Sequence, residues 1–157
     1  MPVRSGREFI EGLRSGRREV WISGERVEDV TSHPAFAAIV RELAALYDAQ
    51  VAPETRDQLT WVVPETGERA ALAFMPARSA DDLRRRRDAY RVWAEMNFGL
   101  MGRSPDFLNV SLLAFWEARE VFGRGGQRFA DNVVRYYEYV RDNDLFLSHA
   151  LITPQND

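Results

Sequence analysis

The sequence contains no cysteine and only two histidines in 157 residues. Without cysteine the chain has no disulfide, no thiolate nucleophile and no thiolate metal ligand. Neither histidine stands in a group of His, Asp and Glu residues with the spacing of metal ligands, so we predict no metal site.

Long apolar runs are also missing. No segment approaches the ~20 consecutive apolar residues that cross a bilayer, and the first residues, MPVRSGREFIEGL, lack the continuous apolar core of a signal peptide. We therefore expect a cytoplasmic protein with no membrane partner. The 45% hydrophobic and 11% aromatic content nevertheless predicts a packed core, of one domain or of one domain and a fragment of the next.

The chain has no excess of positive charge. A net charge of −3 argues against a nucleic-acid partner. The arginine run at 84–87 is accompanied by Asp81, Asp82 and Asp88, so we interpret it as a solvated helix face with ion pairs. The glycines within 123–126 join two predicted helices and follow no strand, so they do not fit a dinucleotide-binding loop.

The first half of the sequence alternates between helical and extended patterns. Its predicted elements are a helix over 5–15 with Ser5 as N-cap, a small hairpin around Ser23-Gly24, a helix over 33–50 with Pro34 in its first turn, and a second hairpin around 65–68.

The second half is predicted to be helical throughout, which makes the fold mainly α with two small β-hairpins. Gly99 and Gly102 are expected to end the first of its three helices. The helices are one with Ser79 as N-cap running to about Leu100, one with Ser104 as N-cap and Pro105 at its first position running to about 122, and one over about 126–146 whose apolar stripe is Phe129, Val133, Tyr136, Val140 and Leu147.

Arg103 precedes the predicted helix that starts at Ser104-Pro105. The first N–H groups of a helix are unpaired and carry partial positive charge, so an arginine beside them makes a site for a carboxylate, phosphate or phenolate. The alternative is an exposed arginine in a turn between helices. The residues alone leave both interpretations open.

His149 follows the apolar stretch DLFLS at the end of the last predicted helix. It is either a histidine that interacts with the helix C-terminus or a hydrogen-bonding and proton-transfer group. His33, beside Pro34 at a helix start, is predicted to be structural.

Many aromatic residues lie at helical spacing in the second half. Most are expected in the core, although a few could line a flat pocket, and periodicity does not separate the two. They are Trp93, Phe98, Phe107, Phe115, Trp116, Phe122, Tyr136, Tyr137 and Tyr139.

Four segments together resemble the 4-hydroxyphenylacetate 3-hydroxylase family, the oxygenase components of two-component aromatic monooxygenases. They are SGREFIEGL (5–13), DVTSHPAF (29–36), MGRSPDF (101–107) and YEYVRDNDLFLSHALITPQND (137–157). The resemblance implies the N-terminal helical domain of flavin monooxygenases with an acyl-CoA dehydrogenase-like fold, over 1–147. Residues 148–157 would open a flavin-contacting β domain that is truncated here, so the isolated chain is expected to be inactive.

The resemblance also implies residue roles. Arg103 and His149 would be catalytic and would meet the phenolic oxygen of the substrate, with Ser104 and Phe107 also binding substrate. The residues expected to contact the flavin are His149, Ala150, Leu151, Gln155, Asn156 and Asp157.

The implied cofactor is FAD, delivered as FADH2 by a separate flavin reductase, and the implied reaction is hydroxylation ortho to a phenolic oxygen. The substrate would be a phenolic small molecule or a carrier-bound phenol, and the parent enzyme a homotetramer. Phe107 stands where family hydroxylases often have tyrosine, so one hydroxyl that would contact the substrate is missing.

Two other functions remain open at this point. One is a flavoprotein similar to the 4-hydroxybutyryl-CoA dehydratases, which share the overall fold. The other is a non-catalytic helical interaction module, whose apolar surface would be covered by self-association.

Overall fold

A computed structural model describes residues 3–100 and 106–149. These residues form two compact units, Val3–Thr60 and the part from Trp61 onward. Within them the protein is mainly helical with two two-stranded hairpins, which confirms the predicted fold class. No helix of these ranges is long and apolar enough to span a membrane.

The first unit contains three helices and one complete hairpin. Ser5 caps the first helix as predicted: its hydroxyl accepts from the Glu8 N–H at 3.3 Å, while the Glu8 carboxylate accepts from the Ser5 N–H at 2.7 Å. The elements are α1 (Gly6–Ser15), β1 (Trp21–Ile22), β2 (Glu25–Arg26), α2 (Ala37–Val51) and α3 (Arg56–Leu59).

The predicted hairpin at Ser23-Gly24 is confirmed. β1 and β2 are antiparallel, with Trp21 opposite Arg26. Ser23 and Gly24 have φ of 50° and 82°. Two successive residues at positive φ are what a two-residue turn needs to match the twist of its strands.

The helix predicted over 33–50 begins later, at Ala37, and Pro34 lies in the preceding turn instead of in the helix. His33 explains the difference. Its ring Nδ1 accepts from the Ala35 N–H at 3.2 Å, and its carbonyl accepts from the Phe36 and Ala37 N–H groups at 2.9 and 2.8 Å. These bonds fold residues 33–36 into turns, which supports a structural role for His33.

α1 packs closely on α2. The rings of Phe9 and Tyr47 stack with centroids 4.8 Å apart, and the Gly6 N–H donates to Asp48 Oδ1 at 2.8 Å. A Cβ at Gly6 would lie 2.3 Å from the backbone oxygen of Ala44. Gly6 is therefore required by the close approach of two backbones.

The second unit begins at a hairpin and continues as helices. Its elements are β3 (Thr60–Val62, which starts at the last residue of the first unit), β4 (Arg69–Ala71), a 3-10 helix (Leu72–Phe74), α4 (Ala80–Met96), α5 (Asp106–Glu117), α6 (Arg119–Gly123) and α7 (Gln127–Asp142). The 3-10 helix was not predicted. The predicted N-cap Ser79 is confirmed, because its hydroxyl accepts from the Asp82 N–H at 3.1 Å.

α4 ends at Met96, four residues before the predicted end at Leu100. The Gly99 N–H donates to the Ala94 carbonyl at 2.8 Å, and the Phe98 N–H donates to the Glu95 carbonyl at 3.4 Å. This is a Schellman motif whose left-handed residue is Phe98, with φ of 56°, and not a glycine. Gly102 lies outside the described residues.

The single helix predicted from Ser104 to about 122 is wrong in its second half. The chain breaks at Ala118 into α5 and α6. The guanidinium of Arg119 lies over the ring of Trp116 and donates to the Trp116 carbonyl at 3.0 Å. That carbonyl thus accepts from a side chain, where a continuous helix would supply a backbone N–H. The predicted cap, Ser104-Pro105, lies outside the described residues.

The last helix ends at Asp142, and not near 146. Its predicted apolar stripe is right at Val140 and Leu147, which lie in or on the core, and wrong at Phe129 and Tyr136. Phe129 and Tyr136 are 40% and 49% exposed. The buried residues are Ala130, Tyr137 and Val140. Tyrosines stand at both 136 and 137, so spacing alone fits either face.

Tyr137 lies at the centre of the core of the second unit. Its hydroxyl donates to the Phe74 carbonyl at 2.6 Å, and its ring stacks on Trp116 with centroids 4.9 Å apart. Burial raises the pKa of Tyr137 to about 12. The buried core residues are Ala71, Phe74, Leu112, Leu113, Tyr137 and Val140.

We expect Gly6→Ala to destabilise the protein by roughly 1–3 kcal/mol, because the new methyl group overlaps the Ala44 carbonyl and the backbone must move. Gly12→Ala is the matched control in the same helix. There the added Cβ meets only the tip of Arg4, at 3.5 Å. Gly12→Ala should raise stability by roughly 0.5–1 kcal/mol through helix propensity. Urea unfolding of both variants checks this, and equal effects would contradict it.

We expect Tyr137→Phe to lower the free energy of unfolding at pH 7 by roughly 1–3 kcal/mol, because the buried Phe74 carbonyl loses its donor. The pKa of Tyr137 is raised above its ordinary 10.0 in the folded state. The stability that the protonated Tyr137 side chain contributes is thus fully present below pH 10 and is lost as the pH rises towards 12.

Thermal unfolding between pH 7 and pH 12 measures both effects. Tyr137→Phe should show a weaker decline in the melting temperature above pH 10. Tyr139→Phe is the control, since its side chain is 57% exposed. A wild-type-like alkaline profile in Tyr137→Phe would show that Tyr137 does not carry this dependence.

Candidate functional site

Two chain segments that carry predicted site residues are held together by one buried side chain. The first is α5, which follows the GRSPD stretch, and the second is residues 145–149 after α7. Asn109 of α5 is 4% exposed. Its Nδ2 donates to the Leu145 carbonyl at 2.9 Å, and its Oδ1 accepts from the Leu147 N–H at 3.1 Å.

The segment 145–149 has a defined path out of α7. The Leu145 N–H donates to the Val140 carbonyl at 3.0 Å and the Asp144 N–H to the Arg141 carbonyl at 3.1 Å, with Asp144 left-handed at φ of 45°. This Schellman motif turns the chain away from the helix axis. The side chains of Leu145 and Leu147 then pack on the core.

His149 is the last described residue, two positions beyond the Leu147 hydrogen bond, and its imidazole is exposed. Phe107 lies in the first turn of the described part of α5 and is 44% exposed. The structure therefore brings the segments that carry Phe107 and His149 together through Asn109. The other predicted site residues lie outside the described residues: Arg103, Ser104, Ala150, Leu151, Gln155, Asn156 and Asp157.

An apolar groove of about 450 Å³ runs between α5 and α7 and is bordered by Leu147 and Ser148. Its volume falls in the range of small-molecule sites. Two aromatic residues whose role periodicity left open, Phe115 and Tyr136, line it and are about half exposed. The remaining lining residues are Leu108, Ser111, Leu112, Asn132 and Val133.

Asn109 was not predicted as a site residue. It is a single amide inside the apolar run FLNVSLLAF, and this position was the available signal in the sequence. A polar residue on the buried face of a helix needs a hydrogen-bond partner, and Asn109 is buried. The partner is backbone 36 residues further along the chain. Periodicity carries no information on such a contact.

The arginine run of α4 forms ion pairs in part: Arg84 and Arg87 pair with aspartates as predicted, whereas Arg85 and Arg86 donate to Met75. Arg91, one turn beyond the run, is also paired. Arg87 pairs with Asp88 at 2.8 Å, and Arg91 with Glu95 at 3.6 Å. Arg84 pairs with Asp81. These exposed pairs are those of a solvated helix face.

One other predicted feature is seen in the described ranges. The glycines of 123–126 connect α6 to α7, as predicted, with Gly126 at φ of 130°. Residues 3–100 and 106–149 contain no group of three or more His, Asp and Glu side chains that could hold a metal ion.

Comparison with known proteins supports the resemblance found in the sequence. The oxygenase component of 4-hydroxyphenylacetate 3-monooxygenase from Thermus thermophilus is 46% identical over 153 residues, 98% of this chain and 31% of that protein. The oxygenase component of 4-nitrophenol 2-monooxygenase from a Rhodococcus species is 39% identical over 155 residues, 98% of this chain and 29% of that protein.

Solved structures agree. A crystal structure of a 4-hydroxyphenylacetate 3-monooxygenase oxygenase component, complexed with FAD and 4-hydroxyphenylacetate, matches with a TM-score of 0.88 at 45% identity. It covers 98% of this chain and 31% of that one. An archaeal 4-hydroxybutyryl-CoA dehydratase from N. maritimus matches with a TM-score of 0.68 at 20% identity, over 90% of this chain and 28% of that one, a likeness of fold alone.

The chain thus spans about 31% of the length of the relative from Thermus thermophilus. The family described as "4-hydroxyphenylacetate 3-hydroxylase N terminal" matches residues 5–157. All four segments quoted from the sequence lie within these residues. The chain therefore belongs to the 4-hydroxyphenylacetate 3-hydroxylase family.

Proposed function

We propose that the protein carrying this chain is the oxygenase component of a two-component monooxygenase, which hydroxylates a phenol ortho to its hydroxyl group with reduced FAD. The likeness to an oxygenase component solved with FAD and 4-hydroxyphenylacetate, over 98% of this chain, is the observation that carries the proposal. We further propose a para-substituted phenol as substrate, because the relatives named for 4-hydroxyphenylacetate and for 4-nitrophenol are both matched.

Arg103 and His149 are the proposed catalytic residues. A phenol is more nucleophilic at its ortho carbon as the phenolate, and a guanidinium beside a helix start stabilises that negative oxygen. His149 accepts or shares the phenol proton through a ring nitrogen. The Ser104 hydroxyl and the Phe107 ring complete the substrate contacts.

The flavin is proposed to lie against the last residues of the chain. FAD supplies the oxygen-activating chemistry when bound, and a separate reductase supplies it as FADH2. Residues 1–147 would form the helical domain and 148–157 the start of the β domain. The contacts to the isoalloxazine ring are assigned to His149, Ala150, Leu151, Gln155, Asn156 and Asp157.

The apolar groove between α5 and α7 fits this chemistry. Water must be kept from the reacting phenol, and a groove lined by Leu108, Phe115 and Tyr136 offers apolar surface next to the His149 segment. The protein is proposed to act in the cytoplasm as a homotetramer, which mass measurement of the complete protein checks.

A helical interaction module is the second candidate. The exposed aromatic residues of α5 to α7 favour it, since contiguous apolar surface marks protein contacts. They include Phe115 and Phe122, whose rings meet edge to face with centroids 5.6 Å apart. Flavin titration and size-exclusion chromatography of the 157-residue chain separate the two: a well-behaved monomer or dimer without flavin affinity favours the module, and aggregation favours a part of the larger enzyme.

The complete protein, given FADH2, oxygen and 4-hydroxyphenylacetate or 4-nitrophenol, should form the ortho-hydroxylated product. Arg103→Ala should lower kcat for product formation by roughly 100-fold, because the phenolate loses its charged donor. Arg103→Lys should recover part of the rate, since the charge remains but the forked geometry is lost.

Product chromatography and oxygen uptake measure this. Arg84→Ala is the control, an exposed arginine of α4. An unchanged rate in Arg103→Ala would remove Arg103 from the catalytic residues. Failure of the wild-type protein to hydroxylate any para-substituted phenol would reject the proposed function.

Phe107→Tyr should lower KM for 4-hydroxyphenylacetate by about 5-fold, the effect of one added hydrogen bond of about 1 kcal/mol. The Phe107 side chain is 44% exposed, so the hydroxyl fits without loss of stability. Steady-state kinetics measure the change, with Phe122→Tyr on α6 as the matched control. An equal response in both variants would show that position 107 does not contact the substrate.

A further inference from the structure

Asn109 uses both polar atoms of its side chain on one backbone segment. Its amide nitrogen donates to Leu145 and its amide oxygen accepts from Leu147, at 2.9 and 3.1 Å. Residues two apart in an extended segment present their backbone groups on the same side. The side chain therefore bonds to residues 145–149 as a neighbouring β-strand would, and these residues pair with no strand among the described ranges.

An amide of this length fulfils that role at any pH. The site needs one donor and one acceptor, and an ionised carboxylate has no donor. Truncation to alanine would leave the Leu145 carbonyl and the Leu147 N–H without Asn109, in a part-buried position.

The apolar contacts of the segment do not replace these bonds. Leu145 and Leu147 pack on the core, but packing of aliphatic side chains is non-directional. The two hydrogen bonds fix which residue faces α5. A shift of the segment by one residue would set the Asn109 donor and acceptor against the wrong backbone groups.

We propose that Asn109 is a positioning residue that sets the register of residues 145–149 on α5 and so presents His149 to the phenolic substrate. This rests on the proposed function of Arg103 and His149. Arg103 stands six positions before Asn109 in the sequence, and His149 two positions after the Leu147 contact. One amide thus links α5, which follows Arg103 in the sequence, to the segment that carries His149.

Asn109→Asp distinguishes positioning from a contribution to stability alone. An ionised aspartate repels the Leu145 carbonyl and releases the segment. A protonated aspartic acid donates to Leu145 and accepts from Leu147, as asparagine does. Because the site is buried and faces a carbonyl, the introduced carboxyl has a raised pKa, so lowering the pH should restore the contact.

Hydrogen–deuterium exchange with mass spectrometry on the complete protein tests the contact. In Asn109→Asp at pH 8, peptides covering 143–149 should lose protection by at least ~10-fold, the loss of about 1.4 kcal/mol, and regain it at pH 5.5 after correction for intrinsic exchange. Asn143→Asp is the control, because its exposed amide bonds only to Tyr139 within α7. Unchanged protection in Asn109→Asp would overturn the proposal.

Kinetics on the same proteins test the consequence. Asn109→Asp should lower kcat for hydroxylation by about 10–100-fold at pH 8, because a catalytic group that is displaced from its position reacts more slowly. The kcat of the variant should return towards the wild-type value as the pH falls. A role in stability alone would lower the melting temperature and leave the pH profile of kcat that of the wild type, and that result would refute positioning.

The proposed function fails separately. If the wild-type protein hydroxylates no phenol, the proposed reaction is wrong, while the exchange data still decide whether Asn109 holds the segment. If the wild-type protein is active, exchange responds and kcat at pH 8 does not, then Asn109 holds the segment without positioning His149 for catalysis.

Discussion

The buried side chain of Tyr137 is the contact on which the second unit depends. Its hydroxyl donates to the Phe74 carbonyl in the 3-10 helix, its ring stacks on Trp116 of α5, and the residue itself belongs to α7. Three elements distant in sequence thus meet on one residue that is 1% exposed. The separation of α5 and α7 follows from this contact, and with it the width of the groove and the reach of Asn109 to the segment after α7.

Apolar packing and polar pairing have different tasks in this unit. The core residues Leu112, Leu113 and Val140 hold the helices together, since burial of apolar surface is the main favourable term. The bonds of Asn109 add direction, because a donor and an acceptor at fixed spacing match one backbone register. The site-bearing segment is therefore held by the core and aligned by a single amide.

Most caps and turns were predictable from the sequence, whereas the side-chain contacts that interrupt a helix or select its buried face were not. The caps at Ser5 and Ser79 and the turn at Ser23-Gly24 depend on neighbouring residues, and each was predicted correctly. The break at Ala118 depends on how an arginine folds back on Trp116, and the buried face of α7 depends on its packing partners. Family resemblance indicated Arg103 and His149, whereas Asn109 needed three-dimensional contacts.

Both stretches of chain that carry the candidate site leave their helices through a left-handed residue that is not glycine, Phe98 after α4 and Asp144 after α7. Such residues cost roughly 1–2 kcal/mol each relative to ordinary helical backbone. Glycine would remove that cost, since it adopts positive φ without strain. At the ends of both α4 and α7 the fold is therefore maintained at the expense of some stability.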